Sequence, residues 1–170
     1  RAIHPDYKGN RRPLRLNRAD IYEDIPNTKE NFNHQISLCT NLLTNTPIRQ
    51  VYVADCEADD VIGYLAKHVL DEYVVIASSD KDFYQLINEN VTQWTPTTKK
   101  IITIDSVLSE FKIHPNNFAT AKCFVGDSSD NIDGIRGCGF KTLVKRFPIL
   151  TDSDFVSVED IINECKNQPQ

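Results

Sequence analysis

Two short β-branched runs, Gln50–Ala54 and Tyr73–Ala77, flank a helical stripe of Ala58, Val61, Ile62, Leu65 and Val69. A short apolar strand, an amphipathic helix and a second such strand predict a βαβ unit with a parallel sheet, because parallel neighbours need a crossover of this length. Helices then cover the sheet, and the fold class is α/β. The flanking segments agree. Phe32, Ile36, Cys39 and Leu43 repeat at helical spacing, Asn27 and Glu30 have capping-box spacing, and Pro47 closes that element. A short helical stretch runs to Leu86, and Val91–Thr95 and Ile101–Ile104 predict further strands. Asp105 is placed to cap a helix through Phe111, and Pro115 to open one through Val125. Phe140–Phe147 predicts a basic helix, and residues 151–165 an amphipathic one.

Acidic residues cluster just beyond these runs. Glu57, Asp59 and Asp60 follow the first, Asp80 and Asp82 the second, and Asp127 and Asp130 sit in a Gly- and Asp-rich stretch, residues 126–139. Ligand sites of open α/β sheets lie beyond the carboxyl ends of the strands. Each group taken alone also fits ordinary helix capping or a favourable meeting with the helix dipole. If the three groups converge, the carboxylates repel one another unless cations neutralise them. All-oxygen ligands without His or Cys select Mg²⁺ or Mn²⁺ over zinc. Two such ions among several carboxylates suit in-line attack of water on a phosphodiester.

Gly134, Gly137 and Gly139 open the helix that carries Lys141, Lys145 and Arg146. Glycines let a backbone approach closely, and amides at a helix start bind phosphate oxygens. The alternative is a helix junction that needs glycine only for packing. No strand precedes this loop and its spacing differs from the dinucleotide fingerprint, so a grip on a nucleic-acid backbone fits better.

The chain has 170 residues, about one domain's worth, with 40% hydrophobic and 25% charged residues, which excludes a disordered polymer. The net charge of −5 comes from 19 basic and 24 acidic residues. Seven of those acids belong to the three groups above, and the bases concentrate at residues 1–18, 99–100 and 136–146. The acidic balance therefore leaves a nucleic-acid substrate open. Cys39, Cys56, Cys123, Cys138 and Cys165 form no Cys-x-x-Cys pair, so reduced thiols are expected rather than zinc or disulfides. No apolar run approaches a membrane span, and no secretory signal is seen; a cytoplasmic protein is expected.

In this order, the motifs resemble the 5′→3′ exonuclease and flap endonuclease family of bacteria and bacteriophages. The matching segments are Asp6–Arg11, Glu57–Asp60, Ser79–Phe83, Gly126–Asn131 and Gly134–Gly139. The resemblance implies a PIN-like (Rossmann-like) parallel sheet with a two-metal site. It also implies a helix–three-turn–helix motif at Gly126–Phe147 that holds duplex DNA, with a K⁺ ion often bound there. Glu57, Asp59, Asp60, Asp80, Asp82, Asp127 and Asp130 fall on its metal positions. Lys8 falls on its active-site lysine and Tyr7 on a residue that stacks on the end base. Arg11, Arg12 and the basic stretch after them would follow an arch for a 5′ single strand, while Gly134, Gly137, Gly139, Lys141 and Lys145 would meet DNA.

The chain departs from the family at its start, where family members carry strands with further metal-binding Asp residues. The expectation is thus an N-terminally incomplete fold, either a truncation or one half of a split nuclease completed by a separate chain. Its parts would be residues 1–105, a partial nuclease domain with 1–49 as basic segment and arch-like helix, and residues 106–170, a helical part with the DNA-binding motif. The expected activity is Mg²⁺-dependent cleavage of DNA bearing a 5′ flap or 5′ end, in replication or repair. The alternatives are a non-catalytic DNA-binding module or, less fitting, an α/β phosphohydrolase for small phosphoesters, which leaves the glycine loop unexplained.

Overall fold

The computed structural model describes residues 26–69 and 72–167, which fall in two compact units divided at residues 55 and 56. The first unit holds helix α1 (Lys29–Leu43). Its cap is Thr28 rather than Asn27, because the Thr28 hydroxyl lies 3.2 Å from the Asn31 N–H. The predicted strand Gln50–Ala54 is not formed: this segment is irregular and exposed, with Tyr52 90% accessible. A strand is defined by its ladder, and these residues have no strand partner among the described ones.

The second unit runs α2 (Ala58–His68), β1 (Val74–Ala77), β2 (Val91–Thr95), β3 (Lys100–Ile102), α3 (Ile104–Phe111), α4 (Phe118–Val125), β4 (Gly126–Asp127), β5 (Ile132–Asp133), α5 (Phe140–Arg146) and α6 (Val158–Asn167). β1 and β2 pair in parallel, Val74 opposite Val91 and Ala77 opposite Trp94. β3 adds antiparallel to β2, with Gln93 opposite Ile102. The parallel pair therefore joins the second and third predicted strands, not the first and second. Thr103, not Asp105, caps α3: its hydroxyl faces the Ser106 N–H while the Ser106 Oγ accepts the Thr103 N–H at 3.1 Å.

The crossover from β1 to β2 contains a 3₁₀ helix, Lys81–Leu86. Three residues per turn stack Phe83 under Leu86 and Tyr84 under Ile87 on different sides. Phe83 and Leu86 join Ile76 and Val91 beneath α2, where Ile62 and Ala66 pack. Tyr84 and Ile87 join the larger core of Val107, Ile113, Phe118, Ala121, Leu143, Phe147, Leu150, Val156 and Ile161. The turn is thus wedged between two apolar cores, and burial on both sides fixes it.

The helical half is closed by Asn117, which is fully buried. Its amide donates to the carbonyls of Asp152 and Asp154, both at 3.0 Å, and accepts the Val156 N–H at 2.8 Å. Three backbone groups of the segment before α6 depend on this one side chain. Each buried group left unpaired costs about 1–3 kcal/mol. Asn117→Ala is expected to lower unfolding stability by about 3 kcal/mol, read from urea midpoints; a loss below about 1 kcal/mol contradicts this account.

Candidate metal centre

The first wall of the site is the turn after β1. The Ser78 hydroxyl accepts the Asp80 N–H, and the Asp80 carboxylate accepts the Asp82 N–H, each at 3.0 Å. Gln93, buried in β2, donates its amide to the carbonyls of Ser78 at 2.7 Å and Asp80 at 2.9 Å. Strand, turn and 3₁₀ helix are thereby tied, and the half-buried Asp82 is presented towards the helical half.

The second wall is the hairpin β4–β5 at the end of α4. Gly126 takes φ +79°, and a Cβ on Gly134 would collide with the Val125 carbonyl. Only glycines allow the two ends of this hairpin to lie backbone against backbone. Asp127 Oδ1 accepts the Ser129 N–H at 2.9 Å and the Ser129 hydroxyl at 2.6 Å. Asp130 is buried.

Carboxylate oxygens of Asp82, Asp127 and Asp130 lie within 4.8 Å of one another. Lys122, on α4, places its ammonium between two of them. Nζ donates to Asp127 Oδ2 at 2.5 Å and to Asp82 Oδ1. Burial acts to lower the Lys122 pKa, but its hydrogen bonds to Asp127 and Asp82 prevail and raise it. Burial likewise acts to raise the Asp127 pKa, and the bonds from Lys122 and Ser129 outweigh it, holding the carboxyl at about 2 against an ordinary 3.8.

Asp82, Lys122 and Asp127 line a cleft of about 710 Å³, as do Asp80, Phe118 and Phe140. Those two rings stack at 5.6 Å. Glu57, Asp59 and Asp60 are exposed and line a second cleft of about 480 Å³. Asp82 lines both clefts. The Asp60 carboxylate also accepts the Glu57 N–H at 3.1 Å, so the first acidic group serves its helix as well. Of the seven predicted acids, then, three converge tightly, Asp80 lines the same cleft, and Glu57, Asp59 and Asp60 line the second one. Gly137 lies in the turn before α5, Gly139 is its N-cap, and Lys141 and Lys145 are exposed upon it. Tyr7, Lys8, Arg11 and Arg12 lie outside the described residues.

Lys122 and Gln93 escaped the sequence reading. A lysine in the last turn of a helix reads as ordinary dipole pairing, and a glutamine in a strand carries no signal. The donor set suits a hard cation: three carboxylates, no His or Cys, and oxygens near the spacing of about 4 Å across an octahedral Mg²⁺.

Because the Asp127 carboxyl is depressed in the folded state, its stabilising contribution is complete above about pH 4 and fades as the pH falls towards 2. In metal-free buffer, the stability difference between the native protein and Asp127→Asn should shrink over that interval. Urea unfolding at pH 2 to 6 checks it, and a difference independent of pH contradicts it.

Residues 1–112 match the family model described as "5'-3' exonuclease, N-terminal resolvase-like domain". The chain is 33% identical over 138 residues to a 5'-3' exonuclease of Aquifex aeolicus, covering 78% of this chain and 48% of that protein. It is 36% identical over 118 residues to a 5'-3' exonuclease of Buchnera aphidicola, covering 66% and 41%. It thus spans about half the length of these relatives or less. Among solved structures, a phage T5 protein co-crystallised with metal ions matches with a TM-score of 0.71 at 24% identity, covering 98% of this chain and 59% of that one. A phage T5 flap endonuclease in complex with DNA and metal ions matches with a TM-score of 0.67 at 24% identity and the same coverage. At this identity these structures bear on the fold alone, a mixed α/β architecture with a small parallel sheet. The match over residues 1–112 settles the kinship: the chain belongs to the 5'-3' exonuclease family.

Proposed function

We propose that the protein is a metal-dependent, structure-specific 5′ nuclease that hydrolyses DNA phosphodiesters at a 5′ end or 5′ flap. The observation that carries this reading is the meeting of Asp82, Asp127 and Asp130 within 4.8 Å, from segments far apart in sequence. Such a cluster, otherwise repulsive, is a cation-binding arrangement. When bound, two Mg²⁺ ions, or Mn²⁺ in their place, supply Lewis-acid activation of the scissile phosphate and the attacking water. Asp82, Asp127 and Asp130 would hold one ion, and Glu57, Asp59 and Asp60 with Asp82 offer carboxylates for the other. Asp80 orients Asp82 through its backbone N–H.

The remaining roles rest on the family. Lys8 would neutralise charge developing on the phosphate, Tyr7 would stack on the terminal base, and Arg11 and Arg12 would follow the single strand. The segment Gly126–Phe147 would act as the helix–three-turn–helix motif. There Lys141 and Lys145 meet duplex phosphates, the loop of Gly134, Gly137 and Gly139 lets the DNA backbone come close, and K⁺ binds at the turn. These contacts position a duplex without reading its sequence.

A labelled 5′-flap DNA tests the reading. Asp82→Asn and Asp127→Asn should each cut cleavage in Mg²⁺ at least about 100-fold, more than loss of a partner behind the ligands. Binding in EDTA should stay within a few-fold. Flap binding without any cleavage by the unaltered protein favours a DNA-binding module instead. Lys8→Ala should lower the single-turnover rate about 100-fold and leave affinity nearly unchanged. Loss confined to affinity assigns Lys8 to binding alone.

A further inference from the structure

Lys122 stands in the carboxylate cluster as a cation already in place. We propose that its ammonium is a built-in placeholder that holds Asp82 and Asp127 together before metal arrives and is expelled when a divalent ion enters. This rests on the metal-centre reading above and adds a positioning residue to it.

The argument is geometric. Nζ takes one oxygen from Asp82 and one from Asp127, and both residues also belong to the three-carboxylate group. Mg²⁺ or Mn²⁺ needs those same oxygens at about 2.0–2.2 Å. An ammonium at hydrogen-bond distance from two of the ligands would then lie close to a divalent charge in a half-buried site. Two cations cannot share that space without strong repulsion. Lys122 has somewhere to go: its side chain retains 23% exposure, and the cleft of about 710 Å³ opens beside it. In its absence, by contrast, Asp82 and Asp127 would face each other without a counter-charge. Asp127 has a second support in Ser129, so the hairpin keeps its shape while the lysine moves.

Ion entry therefore includes the cost of breaking two charge-assisted hydrogen bonds, and removing the ammonium should tighten ion binding. Mn²⁺ affinity, measured by calorimetry or by electron paramagnetic resonance without DNA, is the direct readout. Lys122→Met keeps the length of the side chain without its charge and should bind Mn²⁺ at least tenfold more tightly than the unaltered protein. It should be less stable in EDTA yet gain more in Tm on addition of Mn²⁺. Lys122→Arg, which retains a cation, should stay within about threefold of the unaltered protein.

Equal or weaker Mn²⁺ binding by Lys122→Met overturns the placeholder role while leaving the metal centre intact. No Mn²⁺ binding by either protein overturns the metal centre, and the placeholder with it. A measurement on the unaltered protein does not depend on how the variants fold. Acylation of Lys122 by an amine-reactive reagent, followed by peptide mass spectrometry, should rise several-fold when Mn²⁺ is added. Unchanged labelling beside demonstrated Mn²⁺ binding overturns expulsion of the lysine.

Discussion

Mutual repulsion between carboxylates is the constraint around which the second unit is arranged. Asp82 comes from the turn after β1, while Asp127 and Asp130 come from the hairpin after α4, yet their oxygens lie within 4.8 Å. Two like charges about 4 Å apart cost on the order of 4 kcal/mol at an effective dielectric of 20. The ammonium of Lys122 offsets that cost, and so do the Ser129 bonds to Asp127. The sheet-side turn and the helical half are thus joined by a polar contact whose members would separate if left alone.

Apolar packing makes the arrangement rigid enough to hold. Tyr84, Phe111, Phe118 and Phe140 form a chain of ring contacts, with centroids 5.1 to 6.0 Å apart. It runs from the acidic turn through α3 and α4 to the start of α5. Edge-to-face pairs of this kind contribute about 0.5–1.5 kcal/mol each beyond their burial. Gln93 performs the same service with hydrogen bonds, fastening the two carbonyls on either side of Ser79. The acids are therefore presented by backbone that has little freedom to retreat from them.

Much of this was legible in the sequence because it is local. The helices around the stripe of Ile62 and Leu65 and around Phe118–Val125 follow from spacing, and β2 coincides with the β-rich run Val91–Thr95. The acidic groups were visible because they cluster; Asp80 and Asp82 do lie just past β1, whereas Glu57–Asp60 follow a run that forms no strand, and Asp127 and Asp130 follow α4. What stayed hidden depends on contacts distant in sequence. Gln50–Ala54 has strand-like residues, but propensity alone supplies no partner. Thr103 outcompetes Asp105 as a cap because Ser106 answers it, a difference of two residues that pattern does not resolve. Nothing local marks Lys122 as the residue that meets an acid 40 positions away.

The backbone contact between Gly126 and Gly134 has a consequence for how such a chain can change over time. Residues 127–133 leave and return at a single point, so they form a small closed ring sealed by two residues without side chains. Ring size sets where Asp127 and Asp130 emerge. Within it Asn131 takes φ +62°, a left-handed conformation that asparagine tolerates better than most residues. An inserted or deleted residue would rotate the two acids out of register, and a methyl group on Gly134 would break the seal. The length of this ring should therefore stay constant over evolutionary time.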